Sequence, residues 1–132
     1  MSRDLLGLEG KIVMVTGAGR GFGRAIAHGY GRNGATVIAV DPDVELATGV
    51  ASEVEALGAT AIPIRGDMSV VLDVTSTFEK VEELFGLLDG IVHVTTAESK
   101  TPFVELLAGE GYAPMSRDVR SRLYVPRQGL RP

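Results

Sequence analysis

The chain has 132 residues, 45% hydrophobic and 23% charged, enough for one globular domain with a buried core. Cysteine is absent and histidine occurs twice, which excludes disulfides, thiolate metal sites, a Cys nucleophile and any multi-His metal centre. The net charge of −4 divides into −6 over residues 1–100 and +2 over residues 101–132, too slight a basic bias for a nucleic-acid surface.

No apolar run approaches the roughly 20 residues of a membrane span, and the first residues lack the apolar core of a secretion signal. The expectation is a cytoplasmic protein with neither membrane nor nucleic-acid partners. Residues 1–10 read as a polar lead-in whose Leu5, Leu6 and Leu8 pack beside the first strand. Strand one is Lys11 to Thr16, and Gly17, Gly19, Gly21 and Gly23 follow within seven residues. A helix then runs from Gly21 to Asn33 with Phe22, Ala25, Ile26, Gly29 and Tyr30 inward, stopped by Asn33-Gly34.

Strand two, Thr36 to Val40, is apolar throughout, as parallel strands covered on both faces are. Leu46, Val50, Val54 and Leu57 mark the next helix, closed by Gly58. Strand three is Thr60 to Arg65, and Pro63 assigns it to a sheet edge. Val70, Val74, Phe78, Val81 and Phe85 form the stripe of a third helix, ended by Gly86, and Leu88 to Val94 is strand four. This alternation predicts an α/β fold with a parallel sheet and right-handed crossovers. Beyond it, Pro102 to Leu107 could begin a helix, and a stripe at Met115, Val119 and Leu123 resumes before Pro126.

Strand, glycine-rich turn and helix start present backbone N–H groups to a phosphate, although the same turn also serves as a tight strand–helix connection. Asp41, 18 residues after Gly23 at the tip of strand two, is placed to accept ribose hydroxyls and to repel a 2′-phosphate. It could equally be turn chemistry, since Asp41-Pro42-Asp43 precedes a helix, and Asp43 could cap that helix while Asp41 binds ribose. Arg20 in the loop is a cation that could pair with a 2′-phosphate; the carboxylate is the stronger term, so NAD is expected over NADP. No nucleophile elbow and no P-loop signature occurs.

Thr16-Gly17-x-x-x-Gly21-x-Gly23 resembles the cofactor loop of the short-chain dehydrogenase/reductase family. Leu87-Leu-Asp89-Gly90-Ile-Val92 is similar to that family's entry into strand four, and Asp67-Met68 to its adenine site. The resemblance implies a Rossmann-type sheet of order 3-2-1-4, here one dinucleotide-binding domain over residues 1–132, incomplete after strand four and a following helix. It implies cofactor contacts from Gly17, Gly19, Arg20, Gly21, Phe22, Gly23, Asp41, Asp67, Met68 and Thr95.

The pattern departs at His93-Val94-Thr95-Thr96, where the family carries Asn-Asn-Ala-Gly, and at Arg120, which stands where a helix asparagine is expected. The family's Ser and Tyr-x-x-x-Lys have no counterpart, because Tyr30, Tyr112 and Tyr124 are followed four positions on by Gly34, Ser116 and Gln128. The reading is therefore an NAD(P)-binding, oxidoreductase-like domain without catalytic residues of its own; the alternative is a non-catalytic interaction module that kept only the fold. With strand four at a sheet edge, self-association into a homo-oligomer is expected.

Overall fold

The computed structural model describes residues 4–94, 101–105 and 117–125. Its elements run β1 (Ile12–Thr16), α1 (Gly21–Arg32), β2 (Thr36–Asp41), α2 (Val44–Ala56), β3 (Ala61–Arg65), α3 (Val71–Phe85) and β4 (Gly90–His93). A short 3-10 turn follows at Phe103–Glu105, and residues 117–125 are helical. All strands pair in parallel in the order β3-β2-β1-β4, with Met14 opposite both Ile38 and Ile91, and Ile38 opposite Ile62. The sheet order and the edge position of Pro63 match the sequence expectation, and β4 forms the other edge among the described residues.

Strand alternation divides the interior into two cores. Val13, Val15, Val37, Ala39 and Ala61 face α1 and α2, where Ala27, Val50, Ala51 and Val54 meet them. Met14, Ile38, Val40 and Ile64 face the other way, onto Val74 and Val81 of α3 and onto Val125. Burying each such aliphatic side chain contributes about 1.5–3 kcal/mol, which is why apolar runs on both faces specify a covered parallel sheet. The helix pair on the first face is also tied by charge. Glu53 accepts two hydrogen bonds from Arg24, at 2.8 and 2.9 Å, and lies 2.6 Å from His28 Nε2. Those hydrogen bonds from Arg24 and His28 hold the Glu53 carboxyl down at about 2.

Several expected faces are corrected. Phe22 is 82% exposed and Ala25 is also exposed; the buried line of α1 is Gly23, Ala27 and Gly31. The reason is close approach: a Cβ on Gly31 would press on Val54, so α1 and α2 pack through their smallest residues. In α2, Ala47 and Ala51 join Val50 and Val54 in the interior, while Leu57 is exposed beyond the helix end. Val70 precedes α3 as its N-cap and is exposed, and Thr77 takes an inward place beside Val74 and Val81. Leu5 and Leu6 are exposed too, and Leu8 alone of the three packs on the core. In the helix over 117–125, Val119 and Leu123 point to solvent and Ser121 and Val125 inward, the reverse of the expected stripe; Met115 lies outside the described residues.

Candidate functional site

A cavity of about 730 Å³ opens at the C-terminal ends of the strands. From β1 the chain proceeds to β2 and β3 on one side and returns to β4 on the other, so this is the point where strand order reverses. Loops diverge there and leave a crevice, the usual ligand position in such sheets. Gly17, Arg20, Gly21 and Phe22 form one wall, Asp41 to Asp43 a second, and Gly66 to Ser69 a third. Val94 lies at the end of β4, and Arg117, Asp118 and Ser121 close the far side.

The four glycines differ in purpose. Gly17 has φ +65°, and a Cβ there would overlap the carbonyl oxygen of Val94; a Cβ on Gly23 would overlap the carbonyl of Gly17. A Cβ on Gly19 would come within 2.7 Å of both Asp41 Oδ2 and Leu46 Cβ. These three serve the protein's own packing. Gly21 has φ +56° and nothing within 4 Å of where its Cβ would stand. It opens α1, which has Arg20 as N-cap, no side-chain cap and no acidic residue in its first turn. The first N–H groups of the helix are thus left for an acceptor in the cavity. By contrast, Asp43 caps α2, accepting from Glu45 N at 2.9 Å and Leu46 N at 3.3 Å.

Asp41 is 7% exposed. Its Oδ2 accepts from Gly19 N at 2.9 Å and its Oδ1 from Asp43 N at 3.0 Å. A carboxylate has about four acceptor positions, so it can still receive two hydroxyls after these bonds. Asp43 therefore caps α2 as expected, and Asp41 braces the glycine loop while lining the cavity. Asp67 accepts from Ser69 N at 2.9 Å and Ser69 Oγ at 2.6 Å. Burial pushes its pKa up, but the two Ser69 hydrogen bonds and the charges of Arg117 and Arg65 outweigh that and hold it below the ordinary value. Met68 lines the cavity and is also buried in the α3-side core. Thr95 lies outside the described residues.

His93 pairs with Thr16 across β1 and β4, its Nδ1 2.6 Å from the fully buried Thr16 Oγ1. Burial, helped by the charge of Arg122 and opposed by Asp118, lowers its pKa from 6.5. The unfolded chain therefore takes up a proton that the folded chain resists, and stability falls as pH drops through about 6.5 towards the folded value. His93→Asn keeps a partner for Thr16 and does not titrate. Melting temperatures from pH 7 to pH 5 are expected to fall less steeply in that variant, and parallel slopes would refute the assignment.

The cavity brings together Gly17, Arg20, Gly21, Phe22, Asp41, Asp67 and Met68 of the expected residues, with Gly19 and Gly23 packed behind them. Sequence reasoning missed Ser69, Arg117 and Ser121. The signal for the last two was a polar pair at i and i+4, hidden because the helix had been oriented by Val119 and Leu123. Arg120 is exposed on that helix and is not among the residues lining the cavity.

A family model described as short chain dehydrogenase matches residues 11–131. A short chain dehydrogenase of Claviceps purpurea (strain 20.1) is 34% identical over 125 residues, 94% of this chain and 47% of that protein. A hydroxynaphthalene reductase of Aspergillus fumigatus is 32% identical over 92% of this chain and 45% of its own length. The crystal structure of a hydroxysteroid dehydrogenase from Escherichia coli matches with a TM-score of 0.85 at 25% identity, covering 96% of this chain and 54% of that one. The chain thus spans about half the length of the relatives it matches. With the sheet order, the glycine loop and a match along nearly the whole sequence, the chain belongs to the short-chain dehydrogenase family.

Proposed function

We propose that this chain is the dinucleotide-binding segment of a short-chain dehydrogenase-type oxidoreductase, that it takes NAD in preference to NADP, and that it lacks proton-transfer residues of its own. The family binds nicotinamide dinucleotides. The observation that carries the finer reading is the arrangement of Asp41 and α1. A buried carboxylate with spare acceptor positions lies across the cavity wall from a helix N-terminus without a side-chain cap. The first suits vicinal ribose hydroxyls and the second suits a diphosphate.

When bound, the nicotinamide supplies the hydride donor or acceptor. The chain's part is to hold and orient it: Gly21 lets the diphosphate approach the backbone, Asp41 fixes the adenosine ribose, and Asp67 with Ser69 shapes the adenine side. Proton transfer is not assigned to any residue here. Tyr30 packs against the α1–α2 core and Tyr124 against the α3 core, and neither has Lys four positions on.

Fluorescence titration of NADH with the purified chain tests this reading. Saturable binding is expected, with no oxidation or reduction of alcohols or ketones. Turnover that scales with protein concentration would overturn the second part. Absence of binding would overturn the first and favour an interaction module that keeps the fold alone.

A further inference from the structure

We propose that Arg117, brought to the cavity by the helix over residues 117–125, is a phosphate-binding residue of the dinucleotide site. The proposal rests on the reading of that site given above.

Lining the cavity without an ion pair marks Arg117, together with Arg20. Lys11, Arg24, Arg65 and Arg122 are each bound to a carboxylate, Asp89, Glu53, Asp73 and Asp118 respectively. Arg117 and Arg20 both line the cavity, and neither makes a hydrogen bond or ion pair with a described residue.

The acids of the cavity are already engaged. Asp41 accepts from Gly19 and Asp43, Asp43 accepts from the first turn of α2, Asp67 accepts from Ser69, and Asp118 holds Arg122. Arg20 and Arg117 therefore face the cavity without an ion-pair partner among the described residues, and Asp67 meets the charge of Arg117 only through space, which lowers its pKa. Arg20 is the N-cap residue of α1, whose first N–H groups have no side-chain cap, and Arg117 lines the same cavity from the helix over residues 117–125. A guanidinium offers five donors in a plane that matches phosphate oxygens, and a diphosphate carries the charge to engage both at once. The same helix anchors its inner face in the core through Val125, which fixes where Arg117 is presented.

The test is Arg117→Gln in the 132-residue chain, with NADH, ADP-ribose and adenosine as probes. Arg117 is exposed and makes no hydrogen bond or ion pair with a described residue, so the melting temperature should not change. Affinity for NADH and ADP-ribose is expected to fall roughly tenfold at low salt, with a shallower salt dependence. Adenosine binding, followed by ligand-observed NMR, should be unaffected. Arg117→Lys should restore part of the loss, since it returns the charge without the planar fork. An equal loss for adenosine would assign Arg117 to stacking on the base and overturn the phosphate role. Full affinity of Arg117→Gln for ADP-ribose overturns it as well, leaving the dinucleotide reading intact. Failure of the unmutated chain to bind NADH or ADP-ribose would instead remove both.

Discussion

Gly17→Ala is expected to lower the melting temperature by on the order of 10–20 °C, whereas Gly21→Ala should remain folded and lose NADH binding. At Gly17 two penalties act together. A side chain at φ +65° costs about 1–3 kcal/mol, and relieving the overlap with the Val94 carbonyl costs about 1–3 more. That carbonyl belongs to the stretch where Val94 N donates to Thr16 O at 3.2 Å, so moving it disturbs the β1–β4 seam. Total stabilities are only about 5–15 kcal/mol, and such a loss removes a large part of the fold's margin. Gly21 meets only the first penalty, since nothing lies within 4 Å of its would-be Cβ. That empty volume is where a diphosphate would approach the α1 N-terminus, so a methyl there is expected to weaken NADH binding by about thirtyfold or more. Thermal melts beside NADH titrations separate the two positions. An unchanged melt in Gly17→Ala, or undiminished NADH affinity in Gly21→Ala, would refute the division of roles.

That division shows what the sequence could and could not convey. Strands were legible because runs such as Val37-Ile-Ala-Val40 are apolar on both faces and end in glycine or aspartate. Helix existence was legible from the stripe in α3, where Phe78 and Phe85 pack on the core as their spacing implies. Facing was misread wherever contact is made by small residues. Gly23, Ala27 and Gly31 carry little hydrophobic signal, yet they are the buried line of α1 because closeness, not bulk, defines that contact. The bulky Phe22 drew the predicted face towards itself and is exposed at the cavity mouth. The glycine loop was visible as a motif, but only tertiary contacts distinguish Gly17, Gly19 and Gly23, which accommodate protein atoms, from Gly21, which faces open space. Arg117 was invisible for a related reason: that it lines the cavity without an ion pair to a described residue is a matter of pairing, which cannot be read from order along the chain.

Asp41 carries the second large expectation, because one side chain braces the loop and, on the proposed reading, would also select the cofactor. In the unmutated chain NADH should bind more tightly than NADPH, since a 2′-phosphate would stand beside a buried carboxylate. Arg20 lies on the same cavity but is exposed, where solvent and salt weaken its compensation. In Asp41→Asn the geometry persists and the charge goes. The amide has one acceptor oxygen, so it can satisfy Gly19 N or Asp43 N but not both, and it turns an NH₂ group towards the other. Losing acceptor capacity for the ribose hydroxyls is expected to cost about 1–3 kcal/mol, roughly a tenfold to hundredfold weakening of NADH binding. NADPH, whose 2′-hydroxyl is phosphorylated, has at most the 3′-hydroxyl contact to lose and is freed from repulsion, so its affinity should fall little or rise, and the preference should narrow or invert. Loop bracing predicts in addition a small drop in melting temperature without ligand, from the N–H left unpaired. Isothermal titration with both cofactors and a ligand-free melt read these effects separately. Equal affinities for NADH and NADPH in the unmutated chain would refute the selection role, and a variant that weakens both cofactors equally would reduce Asp41 to a support of the glycine loop.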